Sequence, residues 1–331
     1  MSHAAASGLF ATPPPPVAVE ISSVRVNAVA LATHGPPTIT GHSIEPLPAG
    51  LVTPALNAVN IHDHAALAGA ITTALDRLTP RPKRIALILP DIVGKVSLLR
   101  FEKVPPKAQD LEQLVRWQMR KAVPFRIEDA QVSWVEGAGV DGGGREFVVL
   151  ASRRDIVESY ERACDDAGVH AGIVDITSFN LVNAVLGTVA GADAGDWLLV
   201  HVALDSATLI VVRDGRVIFY RNRPAEGAAH DMGDLVHQTA MYFEDRLGGA
   251  TFNRVVLAGA SAYGAAADGI RAQIEERLGT RVEALDVRGA VAMRDRIAVG
   301  PDLLDAIAPA VGVLLRDRQP VSKARAGERV A

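Results

Sequence analysis

The residues able to do chemistry are thinly spread along this chain, and each has a plainer use. His62–Asp63–His64 offers two imidazoles around a carboxylate, the donor types of a transition-metal site. No second donor cluster accompanies it, and an aspartate placed before an apolar periodic run is explained by capping a helix. Asp141–Gly144 (DGGG) has the glycine content of a phosphate loop. No Walker lysine follows, and it joins two strand-like segments, so it reads as a hairpin loop. Ser206 lacks the G-x-S-x-G setting of a hydrolase nucleophile. Cys164 is the only cysteine, so no internal disulfide forms, which suits a reducing compartment. It falls on the apolar side of a predicted helix with Ile156, Val157 and Tyr160, as a buried structural thiol does.

The elements that could position a site form a repeat. In the second half, Trp197–Ala203, Ala207–Arg213 and Arg216–Arg221 are rich in β-branched residues. Asp214–Gly215 between the last two is a type I′ hairpin signal. A helix over about Asp231–Leu247, closed by Gly248–Gly249, comes next. A strand at Arg254–Leu257, a helix over about Tyr263–Leu278 stopped by Gly279, and a strand at Val282–Leu285 complete it. The first half repeats the order. Val17–Ile21, Val24–Leu31 and an irregular stretch within Thr38–Leu47 precede a helix over about Asp63–Leu78 and an apolar strand at Arg84–Leu89.

An insertion then interrupts this half over about Lys95–Gly168, and residues 169–196 return to it. The insertion holds a strand near Lys95–Phe101, an amphipathic helix with Leu111, Leu114, Val115, Met119 and Ala122 on one stripe, and strands at Gln131–Glu136 and Glu146–Ala151. Pro124 stops its helix. A helix over Asp155–Ala167 completes it. Residues 291–316 form a closing segment whose helix packs back on the first domain, with Pro309 and Gly312 serving a kink and packing. Residues 1–16 and the basic stretch 317–331 are expected to be disordered.

The fold class is α/β, with duplicated β-β-β-α-β-α halves around a cleft. For 331 residues two domains are the prior, one at 17–94 and 169–196 with its insertion at 95–168, the other at 197–290. The 34 basic and 38 acidic residues give a net charge of −4 and no electrostatic case for nucleic acid. No apolar run is long enough to span a membrane, and no secretory signal opens the chain.

The sequence LEQLVRWQMRKAVPF (Leu111–Phe125) resembles the "…WE…YIPF" segment of the PilM family, actin-like cytoplasmic proteins of type IV pilus assembly. LVHQTAMYFEDRL (Leu235–Leu247), LLDAIAPAVGVLLR (Leu303–Arg316) and DAGV (Asp166–Val169) are similar to further segments of that family, in the same order. The resemblance covers about residues 17–316. It implies an actin-like, ribonuclease H-like fold with an inserted α+β subdomain in the first half, as in the FtsA and PilM branch.

The resemblance also locates a nucleotide cleft and shows it degenerate. The first phosphate hairpin, D-I-G-x-x-x-x-K in the family, is matched here by Glu20, Ile21, Ser22 and Asn27, so its glycine and lysine are missing. The second, V-D-I-G, becomes Val200, His201, Val202 and Ala203, with Thr208 at the hydroxyl position that follows. The adenosine turn is Gly259–Ala260–Ser261–Ala262. A Cβ where phosphate must approach, and histidine where carboxylate organises Mg²⁺, argue against ATP binding and more strongly against hydrolysis. The reading is therefore a pseudo-ATPase with no assured cofactor and no metal site, ATP with Mg²⁺ being the minor alternative.

The function implied is that of a cytoplasmic scaffold, peripheral at the inner membrane, in a type IV pilus or related secretion machine. By the same resemblance it captures the N-terminal cytoplasmic tail of a PilN-like membrane protein in a groove between the first half and its insertion, with Trp117 at or near that groove. Through that partner it is coupled to a PilO-like protein and to the pilus motor. Two alternatives stand beside this. One is an ATP-driven switch in which His201 and Arg25 replace the missing groups. The other is a divergent sugar-kinase-like enzyme, which should keep a catalytic aspartate near the second hairpin, for which Asp205 is the only candidate.

Overall fold

The computed structural model describes residues 15–139, 144–188, 195–224, 232–294 and 300–316. The expected terminal disorder and the tip of the Asp141–Gly144 loop lie outside them, apart from residues 15 and 16, which are described at the start of the first strand, and Gly144. The first half opens with a meander, β1 (Val17–Ile21), β2 (Arg25–Leu31) and β3 (Thr38–Pro46), followed by α1 (His64–Asp76) and β4 (Arg84–Leu89). Asp63 caps α1, its carboxylate accepting from the Ala66 amide at 3.0 Å, so the His-Asp-His run serves a helix start. The chain returns to this sheet through β8 (His170–Ile176) and, much later, β14 (Ala292–Met293). The strand order is β14-β3-β2-β1-β4-β8, with β1, β4 and β8 parallel.

The second half repeats the plan. Here β9 (Trp197–Val202), β10 (Ser206–Arg213) and β11 (Arg216–Pro224) precede α5 (Met232–Leu247), β12 (Arg254–Ala258), α6 (Ala267–Leu278) and β13 (Val282–Ala284). Its sheet runs β11-β10-β9-β12-β13. Asp214 and Gly215 both adopt positive φ, 50° and 72°, as the type I′ reading requires. The helix expected from Tyr263 begins only at Ala267. Before it, Ala260–Ala266 is a 3-10 turn broken at Gly264, whose φ of 53° and ψ of −124° no α-helix accommodates.

Two buried helices sit between the sheets, α4 (Thr177–Leu186) and α7 (Pro301–Leu315), and they share one core with the inner faces of both. Strand alternation divides the rest. Val17, Val19 and Ile21 face outward to α1 and to α3 (Arg154–Asp166), while Ala18 faces α4 and α7. Likewise Leu198, Val200 and Val202 face α5 and α6, whereas Trp197 and Leu199 face inward. Gly312 lets α7 lie against α4, since a Cβ there would stand 1.7 Å from the Asn180 carbonyl oxygen.

The inserted module is a three-stranded antiparallel sheet, β5 (Gly94–Phe101), β7 (Arg145–Arg153) and β6 (Ala130–Gly139) in that order, with α2 (Ala108–Met119) on one face. Its other face packs on Phe179 of α4 and on β11. Helix α3, expected to complete this module, belongs elsewhere. Its Ile156, Tyr160, Ala163 and Cys164 are buried in the first-half core, because that apolar stripe meets α1 and β8 and not the inserted sheet. There the Cys164 thiol is pushed up to about 12 by burial, consistent with an inert structural thiol.

Candidate functional site

The same alternation brings the cleft residues together. Glu20 shares the parity of Ala18, Asn27 that of Val29, His201 that of Leu199 and Thr208 that of Ile210, so all four project toward the central helix layer. The parallel strands β1, β4 and β9 end at this place, and the carboxyl ends of parallel strands are where α/β proteins form their crevices. These side chains are not loose polar groups at a rim. They are buried and bonded to one another.

The centre of the network is Asp91, just past β4 and 1% exposed. Its Oδ1 accepts from the Ser178 amide at 2.8 Å, and its Oδ2 accepts from the Thr208 hydroxyl at 2.7 Å. His201 Nδ1 lies 3.1 Å from the same Oδ2. A first-half carboxylate thus meets second-half side chains across the cleft. Burial opposes charge on both partners, yet their mutual hydrogen bond and attraction win. The Asp91 carboxyl is held below its usual range and the His201 imidazole above its own. Asn222 extends the chain, donating to the Thr208 hydroxyl at 2.8 Å.

Glu20 sits in a second knot. Its Oε2 accepts from Asn27 Nδ2 at 2.8 Å, and its Oε1 from the Thr177 hydroxyl at 3.3 Å. Asn27 also donates to the Ala306 carbonyl of α7 at 2.9 Å. Burial pushes the Glu20 carboxyl up, only partly offset by Arg25, Asn27 and His201. Ser22 is a turn residue, its hydroxyl accepting from the Arg25 amide at 3.2 Å. Ala203 pairs backbone to backbone with Ser206, and its carbonyl accepts from the Tyr263 hydroxyl at 2.8 Å.

The glycine turn is occupied too. The amides of Gly259 and Ser261 donate to the two carboxylate oxygens of Asp305, at 2.7 and 2.9 Å. Gly259 has φ 81°, and a Cβ there would lie 2.2 Å from the Val202 carbonyl oxygen, so the turn presses directly on β9. Between Glu20, Arg25, Asp91, His201, Asp205 and Gly259 the open space is about 50 Å³. A small-molecule site usually offers about 300–1,000 Å³. Burial raises the Asp205 carboxyl, the Ser206 hydroxyl bond and His201 only partly offsetting it.

Sequence reasoning missed Asp91 and Asp305. Asp91 had a signal, a carboxylate directly after a fully apolar central strand, L-I-L-P-D. Asp305 had none, since its partners lie 46 and 44 residues away in the chain.

A larger space lies beside the inserted sheet. A groove of about 1130 Å³ runs between Val104–Pro106, the first turns of α2, Trp134 and Phe147 of the sheet, and the hairpin tip Asp214–Arg216. A smaller space of about 220 Å³ adjoins it through Val135 and Glu136, bounded by Phe179, Val182 and Leu186 of α4. Together they wrap the edge of β6 that carries no strand among the described residues, with Arg216 donating to the Gly137 carbonyl across the gap. The expectation of a groove between insertion and first half therefore needs amending, because the second-half hairpin supplies another wall. Trp117 does not line either space. It is 60% exposed on α2, because the stripe that meets the sheet buries Val115 and Met119 and leaves position 117 outside.

Two duplicated sheets around buried helices, with an inserted module in the first half, define an actin-like ATPase fold. The family described as type IV pilus assembly protein PilM matches residues 18–244, and the chain belongs to that family. Among solved structures the chain is similar to the PilM-PilN type IV pilus biogenesis complex, at TM-score 0.79 and 18% identity over 92% of this chain and 99% of that one. The cytoplasmic domain of EpsL from the Vibrio cholerae type II secretion system follows at TM-score 0.48 and 9% identity, covering 91% and 93%. EutJ, an ethanolamine utilization protein from Carboxydothermus hydrogenoformans, also reaches 0.48, at 10% identity over 92% and 90%. No curated protein sequence matches. Among the described residues no helix is long and apolar enough to cross a membrane, and no cluster of three metal-ligating side chains occurs.

Proposed function

We propose that this PilM-family protein is a pilus-assembly scaffold that captures the N-terminal cytoplasmic tail of a PilN-like membrane protein, and that its cleft does not turn over ATP. The observation that carries the reading is the contrast in space. The groove beside the inserted sheet is open, with Val104, Leu111, Trp134 and Phe147 set among the charged Glu136, Arg145, Asp214 and Arg216, next to a strand edge left free among the described residues, a setting in which an extended peptide docks. The cleft is filled by its own hydrogen bonds. Capture of such a tail would hold the protein at the inner membrane from the cytoplasmic side and link it, through the partner, to a PilO-like protein and the pilus motor.

Calorimetric titration tests both parts. A peptide of the tail of a PilN-like protein is expected to bind at a single saturable site, while Mg-ATP gives no binding at micromolar concentration and no turnover. Tail binding that survives a charge placed in the groove by Val135→Arg would move the partner site elsewhere. Tight, Mg²⁺-dependent ATP binding would overturn the reading of the cleft.

A further inference from the structure

We propose that the exposed end of α2, Trp117 with Arg120 and Lys121, seats on an anionic lipid surface. Trp117 is 60% exposed while Val115 and Met119 beside it are fully buried. Arg120, the C-cap of α2, follows three residues on and lies on its side of the helix end, and Lys121 stands in the turn directly after it. Both are exposed, and neither has an ion-pair partner among the described residues. Arg116, a turn earlier, is by contrast neutralised by Glu112 at 2.9 Å. Cations next to a helix C-terminus are favoured by the helix dipole, which accounts for their charge but not for a tryptophan in water.

The patch is small. A stable protein interface covers about 800 Å² on each side, and a tryptophan contributes about 150–250 Å². One aromatic ring flanked by two uncompensated cations instead matches the headgroup zone of a bilayer, where tryptophan anchors and basic side chains meet acidic lipid. Position agrees. Leu111 lines the groove on the same helix, and at 1.5 Å per residue Trp117 lies about 9 Å further along it. This step rests on the tail-capture reading, since a tail rooted in a membrane protein would hold α2 near the bilayer and supply the local concentration so small a patch needs.

The test uses the full chain with an amino-terminal oligohistidine tag, held on phosphatidylcholine vesicles that contain a nickel-chelating lipid and brominated acyl chains, with and without phosphatidylglycerol. Tryptophan emission is expected to be quenched on the phosphatidylglycerol vesicles. The quenching should be lost in Trp117→Phe, where Trp134 and Trp197 remain as reporters of folding. Arg120→Gln with Lys121→Gln should lose the dependence on phosphatidylglycerol. Equal quenching in wild type and Trp117→Phe would overturn the proposal. So would screening of Trp117 by soluble polyglutamate as effectively as by vesicles, which would indicate an acidic protein surface. No tail is present in this experiment, so it can fail while tail peptide still binds in calorimetry, and the converse holds as well.

Discussion

The interdomain cleft and the groove beside the inserted sheet are both gaps between modules, yet one holds about 50 Å³ of open space and the other about 1130 Å³. The difference lies in what the facing side chains do for each other. In the cleft a carboxylate from one half meets donors from the other, and each buried polar group that pairs this way leaves less for a ligand to satisfy. In the groove apolar side chains such as Leu111, Trp134 and Phe147 alternate with charged ones that stay open to solvent, and the β6 edge has no strand partner among the described residues. A gap closed by its own polar pairs has become structure, and a gap lined by unpaired surface remains available for binding.

Breaking the cleft should give the largest effect. Asp91→Ala removes the carboxylate bonded to His201 and leaves it only the more distant charges of Glu20 and Asp305, and loss of one member of a buried pair costs about 3–5 kcal/mol. Chemical denaturation measures it, and a loss below about 1 kcal/mol would mean that the cleft is looser than its hydrogen bonds indicate. Restoring family motifs tests the same point. Ser22→Gly, Asn27→Lys, His201→Asp and Ala203→Gly together place a new carboxylate against Asp91, so the variant is expected to lose stability before it gains nucleotide affinity, as denaturation and Mg-ATP titration would both register.

The groove comes next. Val135→Arg is expected to weaken tail-peptide affinity at least tenfold, about 1.4 kcal/mol, because Val135 borders both spaces; it also packs beside Phe179, so the affinity is read on the fraction that denaturation shows folded.

The pH response separates the two regions further. His201 has a folded value above its unfolded one, so the stability it contributes is complete below the unfolded value and is lost as pH rises through the folded one. Asp91 is the reverse, its contribution complete above the unfolded value and lost as pH falls through the depressed folded one. Glu20 is raised by burial and so adds, like His201, to loss on the rising side. Stability should therefore decline as pH rises above the ordinary imidazole value, and His201→Gln should flatten that decline. A His201→Gln melting profile parallel to wild type would assign the alkaline loss to other groups. The smallest effect belongs to Trp117→Ala, which at 60% exposure should change stability by no more than about 0.5 kcal/mol.

The sequence by itself determined the elements and their order. Strand periodicity marked β1, β4 and β9, the Asp214–Gly215 hairpin requires its two positive φ values, and Asp63 caps the helix it precedes. These are local matters, settled by neighbours in the chain. It also brought Glu20, Asn27, His201 and Thr208 to one face, because alternation along a strand is local as well. Only the tertiary structure decided what those residues do. The pairing of Asp91 with His201 spans 110 residues, and the capping of the Gly259 turn by Asp305 spans 46. Helix α3 carries an apolar stripe that could serve either the insertion or the first half, and the choice fell to whichever surface α1 and β8 left uncovered. The exposure of Trp117 was likewise settled by which stripe of α2 met the inserted sheet, burying Val115 and Met119. Burial and long-range hydrogen bonding depend on which surfaces meet, and a one-dimensional pattern records the surfaces without their partners.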